Sequence, residues 1–225
     1  MICILSIESS TQTCSIAVST DGKLVWNKEN SDLTSHSAVL GVFVAEAVRF
    51  IQANNFRLDA VAVSEGPGSY TGLRIGISLA KGLCFGKDIP LIAVSTLKIM
   101  AKRFVPSFSY LCPMIDARRM EVYTALFDGN LNEIIPARAV IINENSYRDL
   151  LTHEKIIFFG SGAEKCKTVI RSENAVFRNY VHPSASDMIE EAEQAFKEKI
   201  FADTAYFEPL YLKEFQATIP KNKVF

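Results

Sequence analysis

Hydrophobic and polar positions divide the chain into short apolar runs and longer segments in which apolar residues recur every three or four positions. Short apolar runs predict buried strands, whereas the longer period predicts helices with one apolar face. The first part of the chain is therefore predicted to form strands at 2–7, 14–19 and 24–28, a helix at 36–52, a strand at 60–64 and a helix at 72–86. This order is βββαβα.

The same order recurs after a basic, polar junction at about 102–109. The elements predicted there are strands at 111–115, 122–127 and 139–142, a helix at 144–152, a strand at 156–159, a helix at 163–171, a strand at 176–181 and a helix at 185–199. Duplicated βββαβα halves predict an α/β protein of the actin/sugar-kinase/Hsp70-like (ASKHA, RNase H-like) fold class, with two subdomains facing across a cleft. We expect these subdomains to span 1–104 and 105–225, with room for the last helix to pack back on the first.

A glycine-rich turn joins the fourth strand to the second helix. Gly66, Pro67 and Gly68 allow a tight reversal, and Thr71 is a predicted N-cap for a helix that begins at Gly72. Such a turn could hold a phosphate at the helix N-terminus. However, no Gly-Lys-Ser/Thr follows, and the glycine spacing is one residue longer than the dinucleotide fingerprint. We therefore favour a structural role for the turn.

The two predicted helices of the first half carry more apolar and small residues than one buried face needs. The second helix has small residues at every fourth position, and the first is apolar over more than half of its circumference. Either both helices press only on their own sheet, or they bind a second protein helix to helix, which is the hypothesis we favour. The residues of this predicted partner surface are Leu40, Phe43, Val44, Ala47, Val48, Gly72, Arg74, Ile75, Gly76, Leu79, Ala80 and Leu83.

Composition limits the classes of function. The chain has 225 residues, 48% of them hydrophobic, and a formal net charge of −1, which is typical of a globular protein. Because no strong positive field exists, binding of a nucleic acid would have to be shared with another protein. Five scattered cysteines without a CxxC pair indicate reduced, buried thiols and a cytoplasmic location. No apolar stretch suits a signal peptide or a membrane span.

Catalytic groups are sparse in the predicted cleft. Glu8 and Asp116 each end the first strand of a half and are the acidic candidates that could face the cleft. The loops that follow them, 9–13 and 117–120, contain no glycine, although phosphate binding needs close approach of the backbone. We therefore expect no nucleotide or other cofactor on this chain alone.

Metal and nucleophile chemistry are also poorly supported. His36 has Leu40, not a second histidine, four positions later, and His153 and His182 stand in separate segments. A lone histidine at a helix start is more often a capping or packing residue. Ser69 and Ser95 lie in turns without a recognisable base nearby.

Several strings of residues together identify a family resemblance. They are Glu8-Ser9-Ser10, His36-Ser37, GPGSYTGLRIG at 66–76, Val94-Ser95-Thr96-Leu97, Asp116-Ala117-Arg118-Arg119 followed by Glu121-Val122-Tyr123, Gly160-Ser161-Gly162-Ala163 and Pro209-Leu210-Tyr211-Leu212. With them the chain resembles the TsaB (YeaZ) family over nearly its whole length. Glu8 stands where that family usually has Asp, and Tyr70 where it usually has Phe.

The resemblance implies a non-catalytic scaffold subunit of the complex that transfers a threonylcarbamoyl group to N6 of adenosine 37 in tRNAs reading ANN codons. It implies a TsaD-like catalytic partner, a TsaE-like ATPase, tRNA bound through the complex and a separate enzyme that makes the donor, and it leaves open whether the free chain is a homodimer or a monomer. The alternatives are an ATP-binding enzyme of the actin-like kinase class and a metal-dependent hydrolase. The loops without glycine disfavour the first, and Leu40 disfavours the second.

Two basic clusters have two interpretations each. Arg118 and Arg119 beside Asp116 either form an internal ion pair and a solvated arginine, or contact the shared tRNA or the ATPase. Lys221 and Lys223 form a weakly basic tail with the same two interpretations.

Overall fold

The computed structural model describes residues 1–31, 36–105, 107–178 and 182–213, except for the side chains of His36 and Ser37. Its strands are β1 Cys3–Glu8, β2 Cys14–Thr20, β3 Lys23–Asn30, β4 Ala60–Gly66, β5 Leu91–Ser95, β6 Tyr110–Asp116, β7 Glu121–Asp128, β8 Glu133–Ile141, β9 Ile156–Phe159 and β10 Ala175–Phe177. Its helices are α1 His36–Ala53, α2 Tyr70–Lys87, α3 Thr96–Lys102, α4 Arg148–Leu151, α5 Ala163–Cys166 and α6 Ile189–Glu198, with a 3₁₀ helix at Ala185–Met188 before α6.

The strands form two five-stranded sheets of the same topology. The first sheet has the order β3-β2-β1-β4-β5, and the second has the corresponding order β8-β7-β6-β9-β10. In each sheet the first three strands along the chain pair antiparallel and the other pairs are parallel. The duplicated α/β architecture predicted from the sequence is therefore confirmed.

Several predicted boundaries are wrong. The sequence pattern did not predict β5 or α3, because each is short and α3 is apolar on more than one side. The predicted helices at 144–152 and 163–171 shrink to the single turns α4 and α5. The N-cap of α2 is Ser69, not Thr71, since the Ser69 hydroxyl accepts from the Gly72 amide. Of the strand predicted at 176–181, residues 176 and 177 belong to β10, and positions 179–181 lie outside the described residues.

Helix α3 packs on both sheets. Leu97 and Met100 belong to the apolar cluster of the second sheet, whereas Ile99 joins the cluster on the first sheet. Met188 and Ala192, from the 3₁₀ helix and α6, join that first-sheet cluster as well. The opposite face of the first sheet is covered by α1 and α2.

The subdomain boundary at 104/105 stays a prediction, since α3 contacts both sheets and does not separate them into independent units.

Three ion pairs hold α3 against the segment that returns to the first sheet. Lys98 Nζ lies 2.6 Å from a Glu191 carboxylate oxygen, and Arg103 Nε lies 2.7 Å from Asp187 Oδ2. A third pair joins Lys102 to the same segment. All are partly exposed, so each contributes at most about 1 kcal/mol.

A C-terminal segment, defined here as 202–213, runs back along the first half. It starts with an antiparallel bridge from Ala202 to Leu91. The Leu210 amide donates to the Glu65 carbonyl oxygen over 2.7 Å. Lys213 then forms an ion pair with Glu121 of β7 in the second half. The segment therefore contacts both halves of the molecule.

Candidate functional site

The glycine turn is filled by the loop that follows β1. A Cβ on Gly68 would lie 2.3 Å from the Ser10 carbonyl oxygen, and one on Gly72 would lie 2.1 Å from the Ser9 carbonyl oxygen. The Ser69 amide donates to the Ser10 carbonyl oxygen over 2.6 Å. The backbone of the loop after β1 thus occupies the space beside the turn and accepts a hydrogen bond from one of its amides. These contacts support a structural role for the glycines.

Glu8 is buried and does not face an open cleft. Its Oε1 accepts from the Ser10 amide over 2.6 Å and from the Ser10 hydroxyl over 2.5 Å, while Oε2 has no hydrogen-bond partner in the described part of the chain. The 3₁₀ helix lies against the neighbouring strand, because the Ala185 amide donates to Ser15 Oγ over 2.8 Å. Burial raises the pKa of Glu8 to about 7. The expectation that Glu8 faces the cleft is therefore wrong.

Asp116, in contrast, is exposed at the end of β6. Its carboxylate accepts from Lys165 Nζ over 2.5 Å and from the Arg118 amide over 2.7 Å. Partial burial acts to raise the pKa of Asp116, but these hydrogen bonds and the nearby positive charges outweigh it and lower the pKa. The internal ion pair of this cluster is made by Lys165, and not by an arginine as the sequence suggested.

Arg118 and Arg119 form the tip of the β6–β7 hairpin. Both are exposed and both have left-handed backbone conformations, with φ of 73° and 49°. No described acidic residue lies within ion-pair distance of either guanidinium. Left-handed conformations are uncommon for residues other than glycine. A contact with tRNA or an ATPase stays a prediction for these two arginines.

About half of the predicted partner surface is part of the chain's own core. The small-residue row of α2 faces β1, since a Cβ on Gly76 would lie 2.2 Å from Ser9 Oγ and 3.5 Å from Ile7 Cγ2. These residues cannot present side chains to another protein. The buried members of the predicted surface are Leu40, Phe43, Val44, Ala47, Gly72, Gly76 and Ala80. Its remaining members, which are partly or fully exposed, are Val48, Arg74, Ile75, Leu79 and Leu83.

A second small-residue row lies on the outer side of α2. Gly82 and Gly86 have no atom within 4 Å of an added Cβ, and neither does Gly41 on α1. Beside them stand two exposed apolar side chains, Val42 at 54% and Phe85 at 88% exposure. The sequence shows the spacing of Ser78, Gly82 and Gly86, but the row at positions 72, 76 and 80 has the same period, so spacing alone does not distinguish the outward row.

A groove of about 570 Å³ follows this outer side of α2. Both polar and apolar side chains line it, among them a fully exposed arginine. The lining residues are Tyr70, Thr71, Arg74, Ile75, Ser78 and Leu79. The groove and the exposed residues of α1 and α2 are together called the outer helix surface below.

Candidate metal ligands and nucleophiles are dispersed in the structure. Among the described residues no three His, Cys, Asp or Glu side chains converge as a metal site would require. His182 Nε2 lies 3.0 Å from Glu29 Oε1, and the side chain of His36 lies outside the described residues. All five cysteines are buried free thiols, and burial raises their pKa values to about 11. No described helix combines the length and hydropathy needed to cross a bilayer.

The structure defines a duplicated actin-like α/β protein. Its glycine turn is packed against the loop that follows β1, and its helices α1 and α2 expose an outer face. The family model described as TsaD, tRNA N6-adenosine threonylcarbamoyltransferase, matches residues 31–221. The tRNA threonylcarbamoyladenosine biosynthesis protein TsaB of Bacillus subtilis is 30% identical over 93% of both chains. TsaB of Escherichia coli is 29% identical over 93% of this chain and 94% of its own.

The chain therefore belongs to the TsaB family of tRNA threonylcarbamoyladenosine biosynthesis proteins, also called YeaZ. A Pseudomonas aeruginosa protein described as similar to peptidase YeaZ has the same fold, with a TM-score of 0.82 and 24% identity over 95% of this chain and 100% of its own. The similarity to the tRNA N6-adenosine threonylcarbamoyltransferase of Geobacter sp. is more restricted, at 32% identity over 42% of this chain and 32% of that protein.

Proposed function

We propose that the chain is a non-catalytic subunit that docks a TsaD-like threonylcarbamoyltransferase through its outer helix surface. The observation that carries this proposal is the exposure of Val42 and Phe85 beside uncovered glycines on α1 and α2. Exposed apolar side chains next to small residues allow a partner helix to approach closely and to bury area on both sides. In this complex a TsaE-like ATPase and tRNA are further partners, and the site of action is the cytoplasm.

Two features support the non-catalytic part of the proposal. The Glu8 carboxyl is buried under the 3₁₀ helix, and the loop after it is packed into the glycine turn. A carboxyl group without solvent or substrate access cannot transfer protons to a bound ligand. An ATP-binding enzyme and a metal-dependent hydrolase are the alternatives, and purified protein assayed with ATP or peptides, with and without divalent metals, distinguishes them. Activity that co-purifies with the chain and is lost in Asp116→Ala would contradict the proposal.

The docking part is tested by binding to the TsaD-like protein of the same cell. We expect Val42→Glu and Gly82→Arg to abolish binding without lowering the melting temperature, because both positions are open to solvent. Ile134→Glu, at a similarly exposed apolar position in the second half, is the matched control and should bind normally. Normal binding by both helix variants would place the partner elsewhere.

The role in the cell is tested by depletion of the chain, which should lower threonylcarbamoyladenosine in bulk tRNA, measured by nucleoside mass spectrometry.

A further inference from the structure

Arg74 of α2 is held in one position by two tyrosine rings. Its Nε donates to the Tyr211 hydroxyl over 2.9 Å, and its guanidinium carbon lies 4.0 Å from the centre of the Tyr70 ring. The two rings themselves lie 5.0 Å apart. An exposed arginine normally samples many rotamers, and immobilising it on binding carries an entropic cost. Here the rings already restrict the side chain in the free protein.

This fixed cation has no acidic partner in the part of the chain that the structure describes. It stands at the edge of the groove, beside the apolar side chains of Ile75 and Leu79. Arginine and tyrosine, with tryptophan, are the residue types enriched at the energetic centres of protein interfaces. The arrangement suits a carboxylate that arrives next to an apolar side chain on a partner helix.

The charge of the two helices argues against a second copy of this chain as that partner. Glu46 is the only acidic residue within α1 and α2, and it is already paired with Lys28 over 2.6 Å. The basic residues on the same helices are Arg49, Arg74, Lys81 and Lys87. A contact of these helices with their own copy would bring like charges together, whereas a partner bearing carboxylates would be attracted.

Tyr211 belongs to the C-terminal segment, which is fixed independently on α2. Lys81 Nζ donates to the carbonyl oxygens of Ala205 over 3.0 Å and Phe207 over 3.2 Å, and Leu210 is anchored on β4. The Tyr211 hydroxyl therefore reaches Arg74 from a firmly attached backbone. In this arrangement the segment acts on the partner surface through Arg74.

We propose that Arg74 is the charged anchor that selects an acidic helix of the TsaD-like partner over a second copy of this chain, and that Tyr211 is its positioning residue. This inference rests on the proposed docking function and adds to it the chemistry of the partner and the role of the C-terminal segment. Because guanidinium and carboxylate match in a planar, bidentate geometry, lysine at this position would supply charge without the same orientation.

The test measures the dissociation constant of the complex with the TsaD-like protein at several salt concentrations. We expect Arg74→Ala to weaken binding at least about tenfold and to reduce its salt dependence, with Arg74→Lys recovering the salt dependence but not the full affinity. Tyr211→Phe keeps the ring and removes the hydroxyl, and we expect it to weaken binding about fivefold. Arg171→Ala removes an exposed charge from the second half and is the matched control.

The positioning role predicts non-additivity. Arg74→Ala combined with Tyr211→Phe should bind no more weakly than Arg74→Ala alone, whereas an unrelated structural role for Tyr211 would give additive losses. Sedimentation of the chain alone should show no loss of self-association in Arg74→Ala. Wild-type affinity in Arg74→Ala, together with lost binding in Gly82→Arg, would overturn the anchor and leave the docking surface intact. No binding by the unmodified chain would overturn both.

Discussion

Ser9 is linked to Gly72 by two contacts that fix the start of α2 on the end of β1. Ser9 Oγ donates to the Gly72 carbonyl oxygen over 2.8 Å, and the Ser9 carbonyl oxygen lies 2.1 Å from the place where a Cβ on Gly72 would stand. The helix can approach the strand this closely only because position 72 has no side chain. The glycine turn thus serves the internal packing of the first half.

Substituting this glycine should therefore destabilise the fold. We expect Gly72→Ala to lower the free energy of unfolding by at least about 2 kcal/mol, since backbone and not a flexible side chain blocks the methyl group. Gly82→Ala is the matched control on the same helix, because nothing lies within 4 Å of its added Cβ. It should raise stability by about 0.5–1 kcal/mol through helix propensity. Equal denaturant midpoints for the two variants would contradict the packing argument.

Glu8 should give the fold a distinct dependence on pH. Its pKa is about 7 in the folded protein and near the ordinary glutamate value of 4.5 in the unfolded chain, so the folded state holds the proton more tightly. The stabilisation is present below about pH 4.5 and is lost as the pH rises through about 7, a change on the order of 3 kcal/mol.

Glu8→Gln cannot ionise and should lack this loss. Denaturant unfolding of both proteins between pH 5 and 8 measures the difference in their free energies of unfolding. Burial also raises the pKa values of Asp187 and Glu65, but both proteins retain these residues, so their contributions cancel in the difference. Parallel pH profiles for the two proteins would show that Glu8 is already ionised in the fold.

Two nearby valines of α1 should differ strongly in how much stability they lose when replaced by glutamate. Val44 is buried in the apolar cluster between α1, α2 and the first sheet, so Val44→Glu should reduce stability by about 3 kcal/mol, because it buries a charge without a partner. Val42 is exposed, and Val42→Glu should change stability by less than about 0.5 kcal/mol. Thermal melts followed by circular dichroism separate the two. A folded, fully stable Val44→Glu protein would mean that α1 is turned differently on its sheet.

Arg103 should stabilise the join between α3 and the 3₁₀ helix. It pairs with Asp187, whose pKa is raised by burial. Removing the guanidinium in Arg103→Ala leaves that carboxylate without its cation and should lower stability by about 1 kcal/mol at pH 7.5, with a smaller loss at an acidic pH, where the acid is more protonated. Lys197→Ala breaks an i,i+4 pair with Glu193 in which the lysine is 61% exposed, and it should cost at most about 0.5 kcal/mol. Equal losses at both pH values would speak against the ion pair.

The sequence alone determined the duplicated βββαβα order, the buried thiols and the family resemblance. The largely apolar runs at 2–7 and 156–159 predict strands close to the observed β1 and β9, because consecutive apolar residues mark a strand buried on both faces. Short elements such as β5 and α3 were missed, since their stability comes from packing between two sheets and not from their own periodicity.

Only the tertiary structure decided which side of α2 faces outward. The rows at 72, 76, 80 and at 78, 82, 86 have the same spacing, and nothing within the helix distinguishes them. Contact with Ser9 buries the first row, and the second is left uncovered. The cluster of Arg74 and Tyr211 was likewise invisible to pattern analysis, because these residues lie 137 positions apart and meet only when the C-terminal segment folds back. A side chain's role in such a site depends on contacts between distant segments, which sequence periodicity does not encode.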